Sequence, residues 1–581
     1  MTPVERVTRA LERMEQVPRP EVWIHLREQE QALTDARVIE DRLAAGEDLP
    51  LAGVTVAVKD NIDVAGLPTT AACPSFAYTP ACDAPAVAWL RAAGAIVLGK
   101  TNMDQFATGL TGSRSPYGAV RDARAPARAS GGSSSGSAVA VALGHAELAL
   151  GTDTAGSGRV PAAFQGLVGL KPTRGLVSTR GVVPACRLFD CVSVFARTVP
   201  AAELALQTIA RPHADDPLSR RWRLDAPLGA SPRPRVAVAA LKQLELLSPA
   251  AKQAFARAVA RLRTLGADLV EIDVEPFLRA GELLYGGAFV AERYAAVGEF
   301  IADHRGDVDP TVAAIILEAE SITAHRYVAD LARLDEHRLS ARAAMAGCEA
   351  LLLPTAPHQP TIEEVAAAPV ELNRRLGTYA AFCNLLDMCA VAVPAGKADG
   401  GYFGVTLFAP AFHDRVVCDL GRRFMSGDTD SDHAEDRLGP SATRLLVVGA
   451  HLSGQPLNGE LTGRGGRLLG RVRTAPSYRL YRLATTPPKP GLVRVDGVPP
   501  GASGAASSPG GGPGASIEGE LWALPPAGLA SLLADLPSPM TLGRVLLEDR
   551  AEAVGFLCEP AALTDAQEIT QHGSWVTYLQ A

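Results

Sequence analysis

Apolar positions near the start of the chain recur at helical steps. Val4, Val7, Leu11 and Met14 lie three or four residues apart, so residues from about 3 to 46 read as helices. The pattern then changes. Val54, Val56 and Val58 alternate with smaller or polar residues as on a strand, a helix-like run covers Ala84 to Ala93, and an apolar strand follows from Ala95 to Leu98. Strand, helix and strand in that order imply an α/β layer structure. The alternation resumes past a Gly/Ser-rich stretch near residue 131, with a small-residue helix predicted from Ser135 to Leu143 and a strand from Leu148 to Gly151. Helical periodicity dominates from about 240 to 345, and "ALLLPTAP" at 350–357 and "AVAVPAG" at 390–396 return to buried-strand character. One mixed central sheet covered by helices accommodates all of this.

Beyond residue 425 the texture differs. "SGDTDSDHAEDRLGP" at 426–440 is polar, acidic and almost free of large apolar side chains, as a solvated connection should be. The sequence therefore predicts a large domain over 1–425, a linker over 426–442 and a small α+β domain over 443–581. That tail holds short Val- and Leu-bearing strands separated by Gly and Pro, and a helix-like run from Ala527 to Leu536. "PPGASGAASSPGGGPGAS" at 499–516 has linker composition, but strand-like segments flank it closely, so it reads as a mobile loop within the tail.

Length and composition narrow the class. At 581 residues there is room for two domains, and 47% hydrophobic against 20% charged residues is an ordinary globular balance. The net charge of −7 is spread along the chain with Lys and Arg interleaved among Asp and Glu, so the basic stripe of a nucleic-acid binder is missing. The nine cysteines form no CxxC pair and the eleven histidines no HExxH, so no metal site is expected. Glu5, Arg6, Arg9, Glu12 and Arg13 occupy the place where a secretory signal would be apolar, and no uncharged run approaches a membrane span. The expectation is a soluble, cytoplasmic protein with reduced thiols.

Three segments carry candidate chemistry: "VAVKDN" at 56–61, "SGGSSSGSA" at 130–138 and "GTDTAGSGR" at 151–159. Each is weak alone, because Gly/Ser runs are commonly flexible turns. A phosphate cradle fits poorly, with no GKS or GKT ending. A Ser-His-Asp hydrolase could use "GSSSG" at 132–136, but it lacks a persuasive partner histidine, since His145 reads as structural. Taken together, a Lys closing an apolar strand, a GGSS turn and a second Gly-flanked Ser resemble the amidase-signature family, and "GLVGLKPTRGLVSTRGVVP" at 166–184 and "LLLPTAP" continue the likeness. The resemblance implies an amidase-signature fold in which Lys59 is the base, Ser133, held through a cis peptide, relays a proton, and Ser157 is the nucleophile. A lysine with an ordinary pKa of about 10.4 would be protonated near neutrality, so burial and hydrogen bonds to hydroxyls must favour the neutral amine. Backbone N–H groups of Thr154, Ala155, Gly156 and Ser157 are the candidate oxyanion donors. The bland reading of a lysine here, a solvated strand end, suits Lys100 better.

Within that family, "MDQFATGLTGSRSPYG" at 103–118 and the long tail look like the allophanate hydrolases. Allophanate is a urea carrying a carboxylate on one nitrogen, so its pocket needs a cation, preferably a guanidinium. "LLYGGAFVAERY" at 283–294 supplies Tyr285 and Arg293, expected on one face of a helix and matching substrate-binding positions of those enzymes; Arg114 is a second candidate cation. The alternative is a surface arginine paired with Glu292 or Glu299. "LLVVGAHLSGQPLN" at 445–458, "GRVRTAPSYRLYRL" and "IEGELWALP" resemble the cyclotransferase-like, β-barrel-like tail of the same enzymes, implying decarboxylation of N-carboxycarbamate with His451, Glu518 and Glu520 as candidates. A purely structural or docking tail is the alternative. The resemblance further implies a homodimer, no cofactor, no nucleic acid or membrane partner, and a functional link to urea carboxylase. The catalytic component of a glutamyl-tRNA amidotransferase, which would not carry this tail, and a small-amide amidase remain as other amidase-signature readings. A non-enzymatic scaffold would have no use for the three catalytic positions together.

Overall fold

The structure, a computed structural model, describes residues 1–427, 442–495 and 514–581. Of the expected linker 426–442 only Ser426, Gly427 and Ala442 are described, and of the loop 499–516 only Gly514, Ala515 and Ser516; the rest lies outside the described residues. The chain divides into two compact units, residues 1–222 with 234–428, and residues 223–233 with 429–581. The excursion 223–233 has no distinctive composition, and it is placed by main-chain pairing within the second unit. Leu228 N–H donates to Gly465 O at 3.0 Å and Ala527 N–H to Leu224 O at 3.2 Å.

The first unit is built on an eleven-stranded sheet. In chain order its strands are β1 (Trp23–Leu26), β2 (Thr55–Lys59), β3 (Ile96–Thr101), β4 (Leu148–Asp153), β5 (Val168–Lys171), β6 (Cys191–Ala196), β7 (Arg235–Ala239), β8 (Asp268–Ile272), β9 (Ala350–Pro354), β10 (Met388–Ala398) and β11 (Gly401–Pro410). Their spatial order is β1-β3-β2-β4-β6-β5-β10-β11-β9-β7-β8. The sheet is mixed: β2 runs parallel to β3 and β4, whereas β4 and β6 are antiparallel. Every residue of β2 is buried, because neighbours pair on both edges and helices cover both faces. The helix Ser135–Leu143 takes the boundaries its small residues predicted, and Gly136 is needed there, since a Cβ would collide with the main chain of Val22 and Asn102.

Two strands interrupt stretches whose periodicity predicted helix. The first is β1, where Pro18 and Pro20 end the helix Pro3–Gln16 and the short segment WIHL finds an edge to pair with. The second is β8, a half-exposed edge strand beside β7. Neither is long enough for its alternation to outweigh the helical residues around it.

The tail unit contains β12 (Thr443–Val447), β13 (Arg467–Arg473), β14 (Tyr478–Leu483), β15 (Lys489–Arg494), β16 (Glu518–Leu524), β17 (Met540–Leu546), β18 (Glu552–Cys558) and β19 (Gln567–Glu568). They form a five-stranded sheet ordered β13-β16-β12-β18-β17 and a three-stranded sheet ordered β15-β14-β19. Trp522, fully buried, packs with Leu445, Val447, Leu524 and Phe556, and the helix Pro526–Ala534 contributes Leu532 to the same cluster. All nine cysteines are free thiols. Among the described residues no helix is long and apolar enough to cross a membrane.

Candidate active site

The three polar segments of the first unit meet at one point. β2 ends on Lys59, the GGSS turn leads into the helix Ser135–Leu143, and the turn after β4 carries Ser157. Lys59 Nζ donates to Ser133 Oγ at 2.8 Å and to Thr152 Oγ1 at 2.7 Å, and Ser133 Oγ donates to Ser157 Oγ at 3.0 Å. The Gly132–Ser133 peptide is cis. Gly132 has no room for a side chain, since a Cβ would overlap the Asp104 carboxylate and lie 2.6 Å from Gly112 N. Lys59, Ser133 and Ser157 are buried, with Ser157 retaining 4% exposure. Thr152, the second hydroxyl on Lys59, stands inside the quoted segment, but its inward direction depends on the register of β4 and is invisible in the motif.

Burial pushes Lys59 down to about 7, against the carboxylates of Asp104, Asp190 and Asp153, which favour its charged form. Neutral amine is then available near neutral pH, as a general base requires. Because the working form is the deprotonated one, kcat/KM should fall as pH drops through about 7 and level off above it. A pH–rate profile flat from pH 6 to pH 8 would show that Lys59 is not the base.

The turn carrying Ser157 is braced by a pair that sequence reasoning missed. Asp153 and Arg159 are fully buried and form a two-point ion pair, with Arg159 Nε on Asp153 Oδ2 and Nη2 on Oδ1, each at 2.9 Å. The same carboxylate accepts from Gly156 N at 2.9 Å and Gly158 N at 3.0 Å, and Asn384 Nδ2 donates to Asp153 O at 2.7 Å. Burial raises the Asp153 pKa, but the Arg159 charge and these donors outweigh it and hold the carboxyl below its ordinary value. Gly156 adopts φ +123°, where a side chain would be strained, and its Cβ would come 2.8 Å from that of Ala380. One expectation needs correcting here: the Gly156 N–H is spent on Asp153, so the candidate oxyanion donors reduce to the N–H groups of Thr154, Ala155 and Ser157. Asp190 adds a second brace, accepting from Thr154 Oγ1, Ala185 N and Cys186 N.

Arg293 is 1% exposed, and its described partners are neutral oxygens. Nη2 donates to Tyr285 Oη at 3.0 Å, and Nη1 to Thr108 Oγ1 at 3.0 Å and Ala107 O at 3.5 Å. Glu292 instead accepts from Leu188 N and Tyr327 Oη, and Glu299 is exposed, so the surface-pair alternative does not describe this arginine. The expected single helix does not form either. Tyr285 sits in a turn before Gly286 and Gly287, and the α-helix bearing Arg293 starts only at Ala291. Tertiary packing, not helical spacing, brings the two side chains together. Arg114 is buried with its guanidinium on main-chain carbonyls, Nη1 to Thr108 O at 2.9 Å and Nη2 to Pro369 O at 2.7 Å. The segment 103–110 that leads to Arg114 holds one helical turn, Gln105–Ala107, with Phe106 at φ +47° and Ala107 at φ +53°.

Two bland expectations also resolve. Lys100 is not solvated: it is fully buried, donates to Thr69 Oγ1 at 2.9 Å and lies 3.5 Å from Asp60 Oδ1. His145 follows the helix end and meets Val17 O at 3.0 Å, with burial pushing its pKa down to about 4.

Comparison with known proteins decides the family. The sequence model of the Amidase family matches residues 5–418. The chain belongs to the amidase family. In this amidase, residues 443–580 match a further family described as the allophanate hydrolase C-terminal domain. The solved structure of Kluyveromyces lactis allophanate hydrolase superposes with a TM-score of 0.84 at 36% identity, covering 100% of this chain and 97% of that one. Urea amidolyase of Lachancea kluyveri is 40% identical over 98% of this chain, which spans only 32% of that protein. The chain thus spans about a third of the length of the curated urea amidolyases it matches. A glutamyl-tRNA(Gln) amidotransferase component from Halobacterium salinarum is 34% identical, over 66% of this chain and 97% of its own. The amidase-signature fold and the tail's relationship, both expected, are what these comparisons show.

In the tail of this amidase the three candidates do not converge. His451 follows β12, stacks on Phe556 with ring centres 4.7 Å apart, and approaches Glu460 Oε2 at 3.4 Å. It lines a cavity with Glu460, Lys489, Pro490, Met540 and Phe556. Burial pushes His451 below the ordinary imidazole range, and Glu460 only partly opposes it. Glu520 is buried outside that lining, accepting from Ser453 N at 2.8 Å and Trp522 Nε1 at 3.1 Å. Glu518 is exposed and pairs with Arg473 at 2.7 Å. Glu460, Lys489 and Asp535, which no motif marked, line the cavity with His451, and Arg464 acts on the ring through space. Among the described residues no cluster of His, Cys, Asp and Glu is arranged to hold a metal ion.

Proposed function

We propose that this protein hydrolyses allophanate, using Ser157 as nucleophile, Ser133 as proton relay and Lys59 as base. The observation that carries the substrate choice is Arg293, a buried guanidinium whose described partners are all neutral and which is close enough to Lys59 to help depress its pKa. Asp190 acts on Arg293 only through space, with no hydrogen bond between them, so the guanidinium has no hydrogen-bonded acid partner. A substrate carboxylate would complete it through a two-point pair, while Tyr285 fixes the guanidinium plane.

The contacts Ser157–Ser133–Lys59 support the following steps, once the two hydroxyl protons turn so that Ser157 donates to Ser133 and Ser133 to Lys59. Ser157 Oγ passes its proton to Ser133 Oγ, whose own proton goes to neutral Lys59, as Ser157 attacks the urea carbonyl of allophanate. N–H groups of the 154–157 turn hold the oxyanion. Lys59 returns the proton through Ser133 to the leaving nitrogen, ammonia departs, and water releases N-carboxycarbamate from the serine ester. Each uncatalysed step would form an alkoxide or an amide anion, which the relay avoids.

The tail cavity is proposed to decarboxylate that product. A bound dianion would stabilise protonated His451, which could then neutralise charge building on nitrogen as CO2 leaves. Because residues 223–233 belong to the tail unit, a point variant of the full chain is a cleaner probe than a truncation at 425. His451→Asn should leave release of the first ammonia unchanged while N-carboxycarbamate accumulates, followed by carbon NMR with labelled allophanate. Decay of that intermediate at the wild-type rate would favour a structural tail. The domain boundaries, the homodimer and the functional link to urea carboxylase remain part of the same proposal.

A further inference from the structure

We propose that Thr108 is a positioning and specificity-determining residue, whose hydroxyl aims the Arg293 guanidinium at the substrate carboxylate; this rests on the allophanate reading above. Thr108 is fully buried and stands between two buried arginines. Its Oγ1 donates its single proton to Phe106 O at 3.2 Å, which leaves the oxygen lone pairs toward Arg293 Nη1 at 3.0 Å. Its carbonyl accepts from Arg114 Nη1 at 2.9 Å, and Arg114 Nη2 ties this turn to Pro369 O. Phe106 and Ala107, just before it, hold left-handed backbone at φ +47° and +53°, which turns both Ala107 O and Thr108 Oγ1 toward Arg293. Arg114 accordingly holds the turn, the turn presents the hydroxyl, and the hydroxyl orients the carboxylate-binding cation. Tyr285 accepts from Nη2, and the guanidinium carbon lies over its ring, 5.1 Å from the centre, so this residue holds one side of the group and leaves the Nη1 side to Thr108. Without the Thr108 hydroxyl, Nη1 keeps one contact, 3.5 Å from Ala107 O, and the aim of that nitrogen is no longer fixed.

The test uses the full chain with Thr108→Val, which is close in shape, and Thr108→Ser, which keeps the hydroxyl. With Thr108→Val, KM for allophanate should rise about tenfold or more, as loss of a hydrogen bond to a charged group implies, with a much smaller change in kcat. Inhibition by malonate should weaken in parallel, and KM for an uncharged amide should not rise. Thr108→Ser should recover the wild-type KM to within about threefold. Equal defects in the valine and serine variants, or a valine variant with wild-type KM and malonate inhibition, would overturn the proposal. A fall in kcat alone, with thermal unfolding shifted down, would assign Thr108 to packing and overturn it too. If Thr108→Val fails to fold, Thr108→Ser with a tenfold KM defect is by itself contrary. Should the wild-type protein release no ammonia from allophanate, the functional reading fails instead, and the two failures are separate.

Discussion

Replacing Ser157 by alanine is expected to lower ammonia release from allophanate by roughly four to six orders of magnitude while the protein stays folded. The structural cost is small, because the turn is held by the Asp153–Arg159 pair and the Asn384 contact, not by the serine hydroxyl. The chemical cost is large, because the bond between Ser157 and the carbonyl carbon is the step the relay serves. Ser133→Ala and Lys59→Ala should each lose a comparable amount. The double variant should be little worse than either, since one proton path through Ser133 Oγ joins Lys59 Nζ to Ser157 Oγ and is cut by any single change. Ammonia assays of the three single variants and the double variant, with thermal unfolding as the folding control, check this. Losses that add in the logarithm would mean that the three residues act independently.

Arg293→Leu carries the second large effect. Loss of one partner from a buried charge-assisted pair typically costs about 2–5 kcal/mol, and here it should appear as a raised KM for allophanate and as lost inhibition by malonate. The fold should tolerate the change, because Tyr285 Oη, Thr108 Oγ1 and Ala107 O are the hydrogen-bond acceptors that lose a donor, while Asp190 loses a charge acting only through space. A variant with unchanged KM would mean that the carboxylate is bound elsewhere. Arg114 would be a poor substitute, with two of its nitrogens already on main-chain carbonyls.

The sequence made the mixed sheet and its central helix legible because β4, β9 and the first half of β10 are buried and read as apolar runs, while β2 shows itself by its alternating valines. Short edge strands such as β1 and β8 escaped, since four or five half-exposed residues cannot outweigh the helices on either side. The candidate site was legible as a set of polar residues in Gly-rich turns, but not as a framework. Asp153 and Arg159 stand in the quoted segment, yet only the turn's shape shows them paired, and the same turn takes Gly156 N–H away from the oxyanion. Lys100 misled for a related reason. A lysine near a strand end is ordinarily solvated, and its burial depends on Asp60 and Thr69, which come from another segment. In the tail, Glu518 and Glu520 stand two apart on β16, but the residue His451 meets is Glu460, on a short helix that no motif marks.

The most direct measurement of the central claim is the initial rate of ammonia release by the purified protein from allophanate, set against glutamine, malonamate and simple uncharged amides under the same conditions. The expected result is a kcat/KM for allophanate that exceeds those for glutamine and for uncharged amides by orders of magnitude, because only a substrate with a carboxylate beside its amide can pair with Arg293 and meet Ser157 together. Comparable or faster turnover of glutamine or of an uncharged amide, or allophanate left intact, would contradict it.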